Sequence, residues 1–184
     1  MSALDFFARW RVRLGYVLAI IVLWLARPTP LSLLFGFIVG ALGLAVRAYA
    51  AGYLHKQEVL TTTGPYARTR NPLYFGSSIL ASGTAIATRS WWAAALVLFY
   101  FALVYRLVML REEMELRAKH GTTFDAYSAR VPLFFPRFGA AVQRDTPGSR
   151  FSWVQYKKNH EYEATIGFLV LLVVLGVIWR LRTH

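Results

Sequence analysis

The chain has 184 residues, of which 57% are hydrophobic and only 16% are charged. Soluble domains carry about 25% charged residues, and the apolar residues of this chain form long uninterrupted blocks, so the composition argues against a soluble globular protein. The net charge of +12 comes from cations that flank these blocks, and no nucleic-acid-binding motif is present. We therefore expect the lipid bilayer as a partner and no nucleic acid.

The first apolar run follows a group of arginines, as in a secretory signal peptide. A tight Pro-rich turn at residues 27–30 replaces the small-residue cleavage site, which favours a retained membrane helix. The whole pattern predicts an all-α integral membrane protein of about five transmembrane helices, with flanking arginines extending the shorter runs. The predicted spans lie near 12–27, 31–51, 72–88 and 90–110, with a fifth in the C-terminal segment 151–184.

The positive charges predict the topology, because cytoplasmic loops are rich in Lys and Arg. A cytoplasmic N-terminus places the basic residues between 106 and 158 inside and leaves only Arg27, Arg89, Arg180 and Arg182 outside. We therefore expect an integral protein of a bacterial inner (cytoplasmic) membrane.

Two segments are too polar to cross the membrane, residues 52–72 and residues 111–150. The helix of the fourth span should continue past the membrane as far as Gly121. Thr122 or Thr123 should then cap a short helix. Within the second and third spans, glycines are predicted to let the two helix backbones approach closely. These glycines are Gly36, Gly40, Gly43, Gly76 and Gly83.

The loop that leads into the third span has the residues of an anion-binding helix start. Pro72 suits the first helical position after Asn71. The free N–H groups of such a start attract an anion, and Arg70 offers a two-pronged partner for a carboxylate. The alternative is that Arg68 and Arg70 only anchor the helix to lipid headgroups.

A second group of charged residues lies on the extension of the fourth helix. Arg106 and Glu113 are seven residues apart and so share one helical face. An arginine at membrane depth is a functional candidate, and Arg47 in the second span raises the same question, with snorkelling to the interface as its alternative. Glu112 and Glu113 could instead only compensate basic charges. The histidines have no partner at metal-ligand spacing, so no metal site is expected.

These motifs, taken in order, resemble the isoprenylcysteine carboxyl methyltransferase family, which belongs to a wider group that includes phospholipid N-methyltransferases. The resemblance covers residues 64–136. It rests on Gly64-Pro65-Tyr66, Arg70-Asn71-Pro72-Leu73-Tyr74, Gly76, Glu112-Glu113 with Leu116, Gly121, Tyr127, Val131-Pro132 and Pro136.

The resemblance implies a cytoplasmic cofactor pocket, formed by loops and a helical extension, for S-adenosylmethionine. It also implies methyl transfer to a lipid-like or small hydrophobic acceptor, such as an isoprenylcysteine carboxylate or a phospholipid amine. The implied cofactor-binding residues are Gly64, Pro65, Tyr66, Arg70, Asn71, Pro72, Tyr74, Glu112 and Glu113. The candidate catalytic residues are Arg106, Glu112 and Glu113. The family often has His where Asn71 stands, and this difference leaves the identity of the acceptor open.

Residues 1–150 are interpreted as the membrane methyltransferase core, and residues 151–184 as an amphipathic boundary segment followed by a membrane helix. Asn159, Glu161 and Glu163, together with Arg47, are the candidate substrate-binding residues. The aromatic residues nearby could instead be interface anchors. Two other functions remain open: an NADPH-dependent membrane reductase of the sterol type, and a non-catalytic membrane scaffold.

Overall fold

A computed structural model describes residues 3–55, 59–137 and 150–183, with side chains from Arg13 onward. Throughout these ranges the regular structure is helical and no strand occurs. Residues 138–149, the end of the predicted cytoplasmic segment, lie outside the described residues. The helices are α1 (Ala3–Leu25), α2 (Pro30–Tyr53), α3 (Pro72–Thr88), α4 (Trp91–Tyr100), α5 (Arg106–His120), α6 (Thr122–Ser128), α7 (Trp153–Lys158) and α8 (Tyr162–Thr183). A 3₁₀ turn covers Gly64–Ala67, and a π-helical turn covers Phe101–Tyr105.

Three of the described helices are long and apolar enough to cross a membrane, so the prediction of an all-α membrane protein is confirmed. They are Pro30–Tyr53, the continuous helix Trp91–His120, and Tyr162–Thr183. The apolar part of α1, Arg13–Leu25, is shorter, and α3 has 17 residues. Length and composition therefore support three spans, and the predicted count of five is not confirmed.

The α2 and α3 helices pack closely because glycines replace side chains along their contact. A Cβ atom at Gly43 would lie 2.5 Å from the backbone nitrogen of Leu80, and one at Gly83 would lie 2.5 Å from the nitrogen of Gly40. A Cβ at Gly36 would meet Ala87 of α3. The predicted role of these glycines in close packing is confirmed. On its other side, α2 packs against α8, where Phe168 contacts Gly40.

The continuous helix Trp91–His120 has a π-helical turn near its centre. Phe101 and Tyr105 lie within this turn, and their rings stack with centroids 4.4 Å apart. As predicted, the helix continues to a stop at Gly121, whose φ of 51° glycine tolerates best. The predicted threonine cap of α6 is wrong. The helix starts after Gly121, and Thr122 is already its first helical residue, because the left-handed glycine itself turns the chain.

Short turns join the helices at the end where α2 and α4 begin. Thr29 caps α2 in a reciprocal pair with Ser32, as helix starts commonly require. Ser90 caps α4 by accepting a hydrogen bond from the N–H of Ala93. The first turn is tied to the second because the N–H of Arg27 donates to the carbonyl of Thr88, at 2.8 Å.

Candidate functional site

A cavity of about 1120 Å³ lies at the opposite end of the bundle, where α2 ends and α3 begins. Helix α1 and the π-turn region give it an apolar side, the 3₁₀ turn and the start of α3 give it a polar side, and the α7–α8 junction closes it. The residues that matter below and line the cavity are Gly15, Arg47, Tyr66, Arg70, Asn71, Pro72, Tyr74, Tyr100, Tyr105, Glu112, Asn159, Glu161 and Glu163.

The 3₁₀ turn brings Tyr66 into the cavity wall. Gly64 has a φ of 57°, and a Cβ there would lie 2.5 Å from the ring of Tyr53, so only glycine fits this turn. The hydroxyl of Tyr127 in α6 donates to the backbone carbonyl of Tyr66 at 2.7 Å. Pro65, the neighbouring residue, is buried. The turn predicted from Gly64-Pro65-Tyr66 is therefore held by α6.

The segment after α6 runs back along residues 68–71 and fixes them. The N–H of Arg70 donates to the carbonyl of Pro132 at 2.9 Å, and the N–H of Arg137 donates to the carbonyl of Arg68 at 3.0 Å. The amide of Asn71 donates to the carbonyl of Leu133 at 3.0 Å. Although Asn71 lines the cavity, its side chain holds this returning segment.

Arg70 faces α5, where it forms an ion pair. Its Nη1 lies 2.5 Å from Oε1 of Glu113, and both side chains are largely buried, at 16% and 21% exposed. The Nε of Arg70 is buried and has no hydrogen-bond partner among the described residues. A buried donor without a partner is costly, so Arg70 has unused capacity to bind an anion.

Tyr74 and Glu112 are joined across the cavity wall. The hydroxyl of Tyr74 donates to Oε1 of Glu112 at 2.6 Å, a short distance typical of bonds to an ionised carboxylate. The ring of Tyr74 packs edge-on against Tyr105 of the π-helical turn, with centroids 5.3 Å apart. Glu112 is thus bonded to a phenol whose ring is itself held by a second aromatic ring.

The hydroxyl of Tyr66 is the second buried donor at this site that has no partner in the described part of the chain. Tyr66 is only 6% exposed. Burial, reinforced by the nearby Tyr127, Glu112 and Glu161, raises the pKa of Tyr66 well above its usual value of 10. Burial also raises the pKa of Tyr127. Both phenols are therefore neutral donors at physiological pH.

Arg47 lies in α2 and forms a two-pronged ion pair with Glu161 at the start of α8. The Nε–Oε1 distance is 2.5 Å and the Nη2–Oε2 distance is 3.1 Å. The Nη1 of Arg47 also donates to the hydroxyl of Ser77 in α3. Glu161 is 7% exposed. The guanidinium of Arg47 is thus held by three acceptors, two on Glu161 and one on Ser77.

The other candidate substrate residues of the C-terminal segment have different surroundings. The amide of Asn159 donates to the carbonyls of Ala51 and Leu54, both at 2.9 Å, and so satisfies the end of α2. Glu163 lines the cavity but is exposed, and its Oε1 lies 3.7 Å from Nδ1 of His160. Asn159, Glu161 and Glu163, with the neighbouring His160 and Ala164, line one side of the cavity.

The structure does not bring Arg106 to the other candidates. Arg106 begins α5, is exposed, and is not among the residues that line the cavity. Pro72, in contrast, occupies the predicted first position of α3 at the cavity wall. Tyr100 and Tyr105 also line the cavity but were not predicted, because tyrosines five residues apart in an apolar helix carry no signal of a site.

The site can hold a ligand that carries both signs of charge. Arg70 supplies a buried cationic donor, Glu112 supplies a carboxylate, and Tyr66 supplies a neutral hydroxyl, all facing one cavity. Among the described residues, no group of three or more His, Cys, Asp or Glu side chains could hold a metal ion.

Comparison with known proteins gives relatives named for metal resistance. The nickel-cobalt-cadmium resistance protein NccN of Alcaligenes xylosoxydans xylosoxydans is 38% identical over 105 residues, which cover 54% of this chain and 49% of the relative. The cobalt-zinc-cadmium resistance protein CzcN of Cupriavidus metallidurans is 33% identical over 135 residues, 70% of this chain and 62% of the relative. The chain thus spans less than two thirds of the length of either relative. No solved structure matches it.

The family comparison covers the part of the chain that builds most of the cavity. The family model for phospholipid methyltransferases matches residues 10–123, which is more than half of the chain. Arg70, Tyr74 and Glu112 lie within this match, whereas Glu161 lies beyond it. The chain belongs to the phospholipid methyltransferase family.

Proposed function

We propose that this protein catalyses S-adenosylmethionine-dependent methyl transfer to a lipid-like or small hydrophobic acceptor. The observation that carries the proposal is the pair of buried donors without partners, Arg70 Nε and the Tyr66 hydroxyl, beside the carboxylate of Glu112. Both donors belong to residues that line the large cavity, and the chain belongs to the phospholipid methyltransferase family.

The cavity fits S-adenosylmethionine in size and charge. A volume of about 1120 Å³ is large enough for a cofactor with an acceptor beside it. Arg70 would bind the cofactor carboxylate through donors that Glu113 leaves available, and Glu112 would bind the amino group. A carboxylate has about four acceptor positions, so Glu112 can keep its bond to Tyr74 while binding a second donor. When bound, S-adenosylmethionine supplies a methyl group already activated on a positively charged sulfur.

The remaining task of the chain is to position the acceptor and exclude water. The apolar side of the cavity, lined by Ala19, Val104 and Val108, would hold the apolar part of an acceptor that enters from the bilayer. Arg47, Asn159, Glu161 and Glu163 form the opposite polar side, where a headgroup would lie. Because Arg47 and Glu161 neutralise each other, this side would orient the acceptor by hydrogen bonds more than by net charge.

The topology is part of the same proposal. We infer that α1 and α3 also cross the membrane, giving five spans with a cytoplasmic N-terminus in a bacterial inner membrane. The cavity then opens to the cytoplasm, where S-adenosylmethionine is made. Residues 1–150 would form the methyltransferase core, and residues 151–184 would add the wall that contacts the acceptor.

A contribution to metal resistance is a second candidate function, favoured by the names of both relatives. Under this reading, the methylated acceptor would be a membrane component that changes metal tolerance. A deletion strain complemented by wild type but not by Arg70→Ala, scored for growth in cobalt and cadmium, would support this link. If Arg70→Ala complemented the deletion as well as the wild type does, metal resistance would not depend on the cavity.

The direct test is calorimetric titration of detergent-purified protein with S-adenosylmethionine, S-adenosylhomocysteine and NADPH. We expect micromolar binding of the first two, lost in Arg70→Ala and kept in Arg130→Ala. The control removes an exposed arginine that does not line the cavity. Binding of NADPH alone would show that the protein is instead a membrane reductase. Binding of none of the three would favour a non-catalytic scaffold.

A further inference from the structure

A second cavity, of about 990 Å³, lies at the opposite end of the bundle from the candidate site. Helix α2 joins the two ends, and its 24 residues make them about 36 Å apart. Three arginines and three tryptophans dominate the lining of this second cavity. They are Arg27, Arg89, Arg182, Trp24, Trp92 and Trp179, and we call them the far-end cluster.

The far-end cluster has an uncompensated positive charge. None of the described residues that line this cavity is acidic. Arg182 is fixed, because its Nη1 donates to the carbonyl of Ala26 at 2.5 Å and its Nη2 to the carbonyl of Trp24 at 3.1 Å. The guanidinium groups of Arg27 and Arg89 make no hydrogen bond or ion pair with the part of the chain that the structure describes.

Helix ends of both signs meet at this cavity. Helices α2 and α4 both begin here, and their capping residues Thr29 and Ser90 line the cavity, so two positive dipole ends face it. Helices α1, α3 and α8 end here, so their negative dipole ends oppose this contribution, and the positive charge of the cavity comes from the arginines. The carbonyl of Thr88 accepts from the N–H of Arg27, and the last carbonyls around α1 accept from Arg182.

Arg89 stands where a smaller residue would be expected. It ends α3 with a φ of 48°, in the left-handed region that glycine or asparagine usually occupies at a helix end. A long side chain in this conformation is strained, and strain retained at one position suggests that its side chain is used. Here that side chain lies beside a cavity with no counter-charge.

We propose that the far-end cluster binds the phosphate headgroup of an anionic phospholipid in the leaflet opposite the candidate site. Arginine recognises phosphate through paired N–H donors. Trp24 and Trp92 are 75% and 76% exposed, and exposed indoles at the ends of apolar helices lie at the level of lipid headgroups. These indoles favour a lipid over a soluble anion, because their apolar faces would contact the upper acyl chains.

The test is native mass spectrometry of the detergent-purified full chain with phosphatidylglycerol, phosphatidylcholine or inorganic phosphate. We expect retention of phosphatidylglycerol in preference to phosphatidylcholine. The double variant Arg27→Gln/Arg89→Gln should weaken the affinity for phosphatidylglycerol about 25-fold, since each basic residue near an anionic lipid accounts for about fivefold. The matched control Arg111→Gln/Arg117→Gln removes the same charge at the other end and should change the affinity less than twofold.

A third variant, Arg89→Gly, guards against a folding defect. It relieves the left-handed strain, so the lipid-free protein should melt at a higher temperature while its affinity for phosphatidylglycerol falls about fivefold. Equal weakening by both double variants would overturn the proposal, because the lipid would then respond only to net charge. Binding of inorganic phosphate that blocks the lipid at millimolar concentration would replace the lipid with a soluble anion.

Discussion

Tyr74 of α3 and Glu112 of α5 are joined by a 2.6 Å hydrogen bond from the phenol hydroxyl to Oε1. The bond links the start of one helix to the extension of another and fixes the direction in which the Glu112 carboxylate faces. Both residues line the large cavity. Ligand binding at this site should therefore depend on a hydroxyl that need not touch the ligand itself.

Tyr74→Phe should weaken S-adenosylmethionine binding about tenfold, because a hydrogen bond to a charged group contributes about 1.5–3 kcal/mol and part of this fixes the carboxylate. The measurement is calorimetric titration. The control is Tyr105→Phe, which removes a hydroxyl from the same cavity but keeps the ring packed against Phe101. Identical affinities for both variants would mean that Glu112 is oriented without Tyr74.

Glu161→Gln should lower the free energy of unfolding by about 3 kcal/mol, because it leaves the charge of Arg47 without its carboxylate inside the bundle. The double variant Arg47→Met/Glu161→Leu should recover most of this loss, since it removes both buried charges. Denaturant titration in detergent measures these values. Glu163→Gln is the control, because Glu163 is exposed and only approaches His160. A double variant less stable than Glu161→Gln would contradict this account of the ion pair.

Gly43→Ala should lower the melting temperature, whereas Gly167→Ala should leave it unchanged or raise it. The new Cβ at Gly43 would lie 2.5 Å from the backbone nitrogen of Leu80, so α2 and α3 must move apart. At Gly167, no atom lies within 4 Å of the Cβ position, and alanine stabilises helices by about 0.5–1 kcal/mol over glycine. Equal changes in the melting temperatures of the two variants would show that Gly43 does not set the distance between α2 and α3.

The stability of the protein should fall as the pH rises above about 10. Burial raises the pKa values of Tyr66 and Tyr127 above 10 in the folded chain. Between the unfolded and folded pKa values, the unfolded state loses protons that the folded state keeps, so each phenol reduces stability by up to about 1.4 kcal/mol per pH unit. Below pH 10 both states are protonated, and these groups add no pH dependence.

Thermal unfolding between pH 8 and pH 11.5 tests this expectation, with Tyr127→Phe as the comparison. The variant is less stable at neutral pH because it loses the bond to the Tyr66 carbonyl, but its decline above pH 10 should be shallower. A decline as steep as that of the wild type would assign the alkaline sensitivity to other groups.

The sequence was most informative where a pattern is local. The helix start at Pro72, the helix extension to Gly121 and the close packing at Gly43 all follow from residue types at fixed positions. Each depends on backbone geometry within a few residues or on small side chains in an apolar helix. Such features can be recognised without knowing which distant residues will meet.

The partners inside the site were not predictable in this way. Arg47 meets Glu161 across 114 positions, and Arg70, in the loop before α3, meets Glu113 of α5. From the sequence, either arginine could pair with any of several acidic residues, because charge alone does not show which residues lie close together in the folded chain. Arg106 was predicted to act together with Glu113, because their spacing places both on one helical face. In the structure Glu113 pairs with Arg70 from another segment, and Arg106 does not line the cavity.

The π-helical turn at Phe101–Tyr105 determines where this helix can lose a residue. A π-helical turn contains one residue more than the regular helix needs, and each residue of an α-helix adds a rotation of about 100°. Deleting one residue within the turn would restore a regular helix and leave the residues beyond it in nearly their present orientation, whereas a deletion elsewhere in the helix would rotate them by about 100°. Glu112 would keep its bond to Tyr74 after a deletion within the turn and lose it after a deletion between the turn and Glu112, so the π-helical turn is the one place in this stretch that can give up a residue.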